Sequence, residues 1–148
     1  KKSASDNAQS EVALFDFVKN YNYENIVFIQ ATNIFLTSKD IKAALKIYFE
    51  NKFDSILSVI ESKKFLWKFQ NNSMRALNYD YTKRKLRQKM NNYYLENGSF
   101  YIFSKKGFMK YKNRIYGKIG YYVMNQESYF DIDDKEQLNI VKKLFKNG

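Results

Sequence analysis

From Ser10 to Tyr21 the apolar residues recur at helical spacing, with Val12, Phe15 and Val18 on one face, which predicts an amphipathic helix. Ile26 to Gln30 (IVFIQ) is instead a continuous apolar run, the pattern of a strand buried on both faces. A second helix is predicted over Thr37–Asn51. Thr37 is placed to cap it, Asp40 follows three residues on, and Ile41, Ala44, Leu45, Tyr48 and Phe49 form the inner stripe. Asp54–Glu61 (DSILSVIE) repeats the buried-strand pattern, so strand, helix and strand make a right-handed βαβ unit with parallel strands. Phe65–Phe69 is read as a further strand and 71–89 as a polar, irregular excursion. The chain from 92 to 103 holds two aromatic-rich runs around Asn97 and Gly98. A short helix over Lys105–Lys112, a strand over Lys118–Met124 and a last helix from Asp134 to Phe145 complete the reading. The class this predicts is α/β, three-layer, with a mostly parallel sheet, in one domain over 1–148.

Just before the last helix stands FDIDD, Phe130–Asp134. In an extended strand alternate side chains share a face, about 7 Å apart. Asp131 and Asp133 would therefore project together and could hold one hard cation, leaving its other positions to phosphate oxygens and water. The structural alternative is capping: Asp134 with Gln137, or Asp133 with Glu136, makes a capping box for the helix. Asp134 is free to cap while the other two bind metal.

Composition narrows the chemistry. The chain has neither Cys nor His, which excludes disulfides, thiolate metal sites, a Cys nucleophile and the commonest general base. Catalysis here has to rest on carboxylates, cations, amides, hydroxyls or a hard metal ion. An aromatic share of 18% argues for a packed core over disorder. No apolar run reaches membrane-spanning length and no secretory pattern opens the chain, which fits a cytoplasmic protein with no membrane partner. The formal charge of +11 suits an anionic partner, although Lys, Asn, Ile, Tyr and Phe are also what a very AT-rich genome encodes. The densest basic stretch, Lys83–Lys89, lacks the interleaved aromatics of a nucleic-acid site, and no nucleic-acid partner is expected.

Four segments in order resemble the acylneuraminate cytidylyltransferases, which make CMP-activated sialic acids and related nonulosonic acids. They are IVFIQATNIFLTSKDI (Ile26–Ile41), RQKMNNYYLENGSFYIF (Arg87–Phe103), RIYGKIGYYVM (Arg114–Met124) and ESYFDIDDKEQL (Glu127–Leu138). Ala31 and Ile34 stand where the family has Pro, and Leu36 where it usually has Arg. The resemblance begins partway into the family, after its Gly-rich nucleotide loop. None of the five glycines, at Gly98, Gly107, Gly117, Gly120 and Gly148, makes a phosphate cradle. What the resemblance implies is an N-terminally incomplete, Rossmann-like nucleotidyltransferase domain with an excursion over about 65–88 that serves in dimer contacts.

The resemblance also implies the reaction: CTP and a sialic-type nonulosonic acid give CMP-sugar and pyrophosphate. Mg²⁺ would be held by Asp131 and Asp133, and the chain, carrying only the sugar- and metal-binding part, is expected to be inactive alone. Asn97 and Tyr101 match positions that contact the sugar, although Asn-Gly between aromatic runs is equally the signal of a tight hairpin turn. Gln30, at the end of its strand, is a second sugar-contacting candidate or simply a polar strand end. Thr32 and Asn33 follow it without the family's Pro residues. Arg87 suits the carboxylate of a sugar acid in a neighbouring subunit, or is one solvated cation in a basic run; Arg114 is a candidate of the same kind. Other readings are a non-catalytic interaction or dimerisation module on the same fold, or activity like that of a 3-deoxy-manno-octulosonate cytidylyltransferase.

Overall fold

The computed structural model describes residues 10–84, 86–130, 132 and 134–146. These fall into two compact units, one of residues 1–60 with 96–148 and one of residues 61–95.

The larger unit carries α1 (Ser10–Asn20), β1 (Asn25–Ile29), α2 (Ser38–Glu50), β2 (Ser55–Ser62), and then, beyond the excursion, β5 (Tyr93–Ser104), α3 (Lys105–Tyr111), β6 (Ile119–Val123) and α4 (Lys135–Lys146). Its four-stranded sheet has the order β1-β5-β2-β6, with β2 and β6 parallel and β5 running against β1. The α/β class and its mostly parallel sheet are as expected, with β5 as the reversed strand. The two strands of the βαβ unit are not neighbours, because β5 inserts between β1 and β2. That insertion also leaves β1 at the edge of the sheet, so of its five residues only Ile26 is buried, not the whole run.

Alternation along the strands sorts the core. Ile26 opposite Phe103, and Phe28 opposite Tyr101, face a cluster completed by Leu14 and Val18 of α1, Phe108 of α3 and Tyr116. The inner face of α1 thus runs through Leu14 and Val18, while Val12 is exposed. α2 packs on β6 and buries Ala44 and Tyr48; Phe49, expected on the inner stripe, is exposed. The start of α2 is the capping box read from sequence. Asp40 N–H donates to Thr37 Oγ1, and Asp40 Oδ2 accepts from both Thr37 N–H (2.9 Å) and Thr37 Oγ1 (2.6 Å). The other oxygen of Asp40 accepts from the Tyr122 hydroxyl of β6 at 3.0 Å, pinning helix to sheet.

Residues 61–95 hold a second sheet of β3 (Trp67–Gln70) and β4 (Ser73–Ala76), an antiparallel hairpin turning at Asn71 and Asn72, both with positive φ (53° and 55°). Two adjacent left-handed residues are what a tight hairpin needs, and Asn tolerates that region better than other side-chained residues. The Asn78 amide closes the base, donating to the Lys64 carbonyl and accepting from Leu66 N–H. Phe65, Trp67, Tyr79 and Tyr81 meet in tilted and edge-to-face pairs beside it. Where 71–89 reads as irregular, the structure therefore has a strand and two 3-10 turns, Tyr81–Lys83 and Arg87–Lys89.

Two outcomes test this account. A Cβ on Gly107, a buried α3 residue, would lie 2.0 Å from Tyr116 Cζ, and the Tyr116 hydroxyl is hydrogen-bonded to Ser104 N–H (3.0 Å) and Ser104 Oγ (2.9 Å). Helix propensity favours Ala by about 1 kcal/mol. Overpacking costs about 1–3 kcal/mol and each lost hydrogen bond about 1 kcal/mol more. Gly107→Ala should therefore destabilise in urea unfolding; a gain in stability would contradict the packing described. Partial burial pushes the Asp40 carboxyl up, but the hydrogen bonds from Thr37 and Tyr122 outweigh it and hold the group below its ordinary value of 3.8. A depressed folded-state pKa stabilises fully above the unfolded value and ceases to do so as pH falls through the folded one. The stability advantage of the protein over Asp40→Asn should thus be present at pH 6 and shrink below about pH 4; an advantage independent of pH would refute the assignment.

Candidate active site

Ser128 organises one end of the larger unit. It is buried in a 3-10 turn, Gln126–Tyr129, and its hydroxyl donates to the Asn125 carbonyl at 2.6 Å. Its own carbonyl accepts from two buried amides, Asn33 Nδ2 at 2.8 Å and Asn97 Nδ2 at 3.3 Å. Asn97 Nδ2 also lies 2.9 Å from Ser128 Oγ and 3.3 Å from Met124 Sδ. Three stretches far apart in the chain are thereby fastened together: the loop after β1, the middle of β5, and the turn that leads into 130–134. Just beyond the clamp, Ile132 N–H donates to the Thr32 carbonyl, and Gln137 N–H to Asp134 Oδ1. Asp134 is therefore the cap of α4.

Beside the clamp lies an open cavity of about 600 Å³. Gln30, Glu96, Asn97, Gly98 and Tyr101 form one wall, and Tyr129, Phe130, Ile140 and Val141 give it an apolar side. β5 is continuous through Asn97-Gly98, so the hairpin turn suggested by that dipeptide is not formed. Instead Gly98 takes φ +67° inside the strand, and a Cβ there would come within 3.2 Å of Gln30 Oε1. Glycine at 98 both permits the left-handed backbone and lets the Gln30 side chain lie close across it. Gln30 is further fixed by its N–H, which donates to the Ser99 carbonyl at 3.0 Å.

Tyr101 joins core and cavity. Its ring is buried, stacked near Phe28 and under the Arg114 guanidinium, whose carbon sits 4.4 Å from the ring centroid. Its hydroxyl donates to Glu96 Oε1. The surface thus offered is amides, a phenol and a carboxylate on one side and apolar rings and branched chains on the other. That suits a polyhydroxylated ligand carrying an apolar substituent.

Gln30, read as a polar strand end, and Asn97 and Tyr101, which the resemblance singled out together, line this one cavity. The Asn97 donors point to Ser128, so its part in the cavity wall is joined to a structural one. Asp131 and Asp133 lie outside the described residues, as does the side chain of Arg87, whose backbone belongs to a 3-10 turn of the 61–95 unit. Arg114 stacks on Tyr101 and Phe28. Sequence reasoning missed Ser128, Glu96, Tyr129 and Phe130. The signal for Ser128 was faint, a small polar residue between Glu127 and Tyr129. Among the described residues no three acidic side chains come together as a metal cluster.

If the clamp acts as a unit, Asn33→Ala and Asn97→Ala should not add. Each single change leaves the Ser128 carbonyl one amide donor, and the double change removes both. The double variant should lose more unfolding free energy than the sum, by about 0.5–3 kcal/mol. Strict additivity in a double-mutant cycle would show that Ser128 is not the shared partner.

Residues 1–147 match the family described as Cytidylyltransferase. Among similar curated proteins, N-acylneuraminate cytidylyltransferase A of Danio rerio is 30% identical over 135 residues, covering 88% of this chain and 31% of that protein. The N-acylneuraminate cytidylyltransferase of Streptococcus agalactiae serotype III (strain NEM316) is 26% identical over 147 residues, 96% of this chain and 36% of that protein. The chain spans about a third of the length of the curated relatives it matches. Among solved structures, the 4-diphosphocytidyl-2C-methyl-D-erythritolsynthase of Anaerococcus prevotii DSM 20548 shares the fold, with a TM-score of 0.65 over 94% of this chain and 67% of that one at 11% identity. A match running almost end to end, on a chain that folds as α/β around this cavity, makes it a member of the cytidylyltransferase family.

Proposed function

We propose that this chain is the sugar- and metal-binding part of an enzyme that couples CTP to a sialic-type nonulosonic acid, giving CMP-sugar and pyrophosphate, and that it does not turn over alone. The observation that carries the reading is the convergence of Gln30, Asn97 and Tyr101 on one cavity with an apolar side of Tyr129, Phe130, Ile140 and Val141. The Gln30 amide, which has no hydrogen-bond partner among the described residues, is available to a sugar hydroxyl or carbonyl. The Tyr101 hydroxyl, which donates to Glu96 Oε1, stands on the same wall. The apolar side takes the ring's C–H face or an acyl methyl.

Mg²⁺ belongs to this reading, held by Asp131 and Asp133. The donor chemistry fits: two carboxylates are hard oxygen ligands, and the carboxylate next to them, Asp134, is already committed to α4. Asn33 Oδ1, buried without a hydrogen-bond partner, belongs to the loop whose Thr32 carbonyl accepts from Ile132 N–H. Bound there, the ion would neutralise charge on the phosphoryl group and the departing pyrophosphate. The chain's own part is to bind and orient the acid so that its hydroxyl faces the α-phosphate. Arg87, offered by a second copy in a homodimer, would meet the acid's carboxylate in bidentate fashion. A cytoplasmic setting, where CTP is made, goes with this reading; no helix among the described residues is long and apolar enough to cross a membrane.

A second reading has its own support. The Asn97 donors are spent on Ser128 and Asp134 caps a helix, as in a non-catalytic interaction module that keeps the fold. Thermal unfolding separates the two. With millimolar Mg²⁺ and N-acetylneuraminate the protein should gain several degrees, Gln30→Ala should lose the sugar's share, and Asp131→Asn with Asp133→Asn the metal's. Identical Mg²⁺ responses in protein and double variant would favour the module. CMP-sugar formed from CTP by this polypeptide by itself would end the claim that it is only a part.

A further inference from the structure

Of the side chains that line the open cavity, only Glu96 belongs to a charged residue type; the others are amides, phenols, a glycine and apolar groups. The chain has 26 Lys and Arg against 15 Asp and Glu, so an acidic wall with no basic one is the reverse of what composition would place there. The carboxylate is held in position. Glu96 immediately precedes Asn97, whose amide is clamped to Ser128, and Glu96 Oε1 accepts from the Tyr101 hydroxyl. The Tyr101 ring is itself buried, near Phe28 and beneath the Arg114 guanidinium. No ion pair within the described residues reaches Glu96. A carboxylate has about four acceptor sites, and the phenol occupies one of them. The group is exposed to the cavity and not spent within the fold.

We propose that Glu96 determines specificity: the sugar acid bound here carries a cationic nitrogen, an ammonium or amidinium, in place of one hydroxyl, and that nitrogen pairs with the Glu96 carboxylate. This selection rests on the sugar-acid reading of the same cavity and adds the substituent to it. A hydroxyl donor needs only a neutral acceptor, and the Gln30 amide oxygen already offers one. Covering a carboxylate with a neutral ligand group removes water from a charge without matching it. A cationic nitrogen answers both the charge and the hydrogen bond, and such charge-assisted bonds are about twice as strong as neutral ones. The acid's own carboxylate is kept off this wall by like-charge repulsion. The field of a chain of formal charge +11 still draws the anionic substrate in, so the carboxylate enters facing away from Glu96 and the nitrogen facing it. The apolar side, with Phe130 and Ile140, remains for an acyl methyl. A metal ion is the poorer partner for Glu96, because among the described residues no acidic cluster joins it.

Titration calorimetry on the 148-residue chain at pH 7 tests this with four ligands. They are N-acetylneuraminate and three analogues, each with one hydroxyl, at C4, C7 or C9, replaced by an amino group. One analogue should bind about fivefold tighter than N-acetylneuraminate in 20 mM salt, the upper end for an ion pair open to solvent. That advantage should fall below about twofold in 1 M salt, where exposed charges are screened. Glu96→Gln, which keeps an acceptor for the Tyr101 hydroxyl, should bring the same ratio to about one. The ratio compares two ligands on one protein, and its value in the unsubstituted chain needs no variant to fold. N-acetylneuraminate binding as tightly as all three analogues would overturn the proposal and leave the sugar-acid reading standing. A preference that survives either Glu96→Gln or high salt would also overturn it, because the nitrogen would then be held by another group. Binding of none of the four would end the sugar-acid reading, and the role of Glu96 with it.

Discussion

The site depends on two buried side-chain amides that share one carbonyl. Asn33 follows β1, Asn97 lies in the middle of β5, and both donate to Ser128. Nothing local in the chain brings these residues together. Each amide is deeply buried, so leaving either unpaired would cost about 1–3 kcal/mol. That penalty acts against any arrangement in which the 125–130 turn swings away from the sheet. The same turn delivers Tyr129 and Phe130 to the cavity and leads directly into the acidic run. Hydrophobic burial sets the sheet and its helices, while this polar contact sets which end of the sheet is closed over a cavity.

What could be read from sequence was what is decided locally. The α2 cap was legible because Thr37 and Asp40 satisfy each other's backbone within one turn, and β2 because a run of buried residues needs no partner to be recognised. The edge position of β1 was not legible. Its apolar run looks interior, and its place follows from β5, some seventy residues later, wedging between β1 and β2. Asn97-Gly98 misled for a related reason. A left-handed glycine between aromatic runs is the local mark of a hairpin, yet here the positive φ serves the close approach of Gln30 inside one continuous strand. The hairpin of residues 61–95 turns at Asn71 and Asn72, and its signal was present but short: Trp67 and Phe69 alternate with polar residues, as do Met74 and Ala76, over only four residues on each side.

For the cavity, Gln30 stood out as a polar residue closing a strand, and Asn97 and Tyr101 through the family resemblance, but Ser128 did not, because its importance lies in a backbone carbonyl that every residue possesses. Glu96 was hidden similarly: it is exposed, and only the position of the Tyr101 hydroxyl gives it a role. Sequence pattern reports side chains that are unusual for their place, and a carbonyl acceptor or an exposed carboxylate is unusual nowhere.

Acidic residues in 131–134 need not compete for roles. Asp134 supplies the N-cap of α4, a task that needs one oxygen aimed at Gln137 N–H and that no residue earlier in the run can take without shifting the helix start. With the cap assigned, Ile132 N–H is held by the Thr32 carbonyl and Phe130 N–H by the Glu127 carbonyl, so the 125–130 turn, the loop after β1 and the start of α4 are joined by backbone contacts as well as by the two amides.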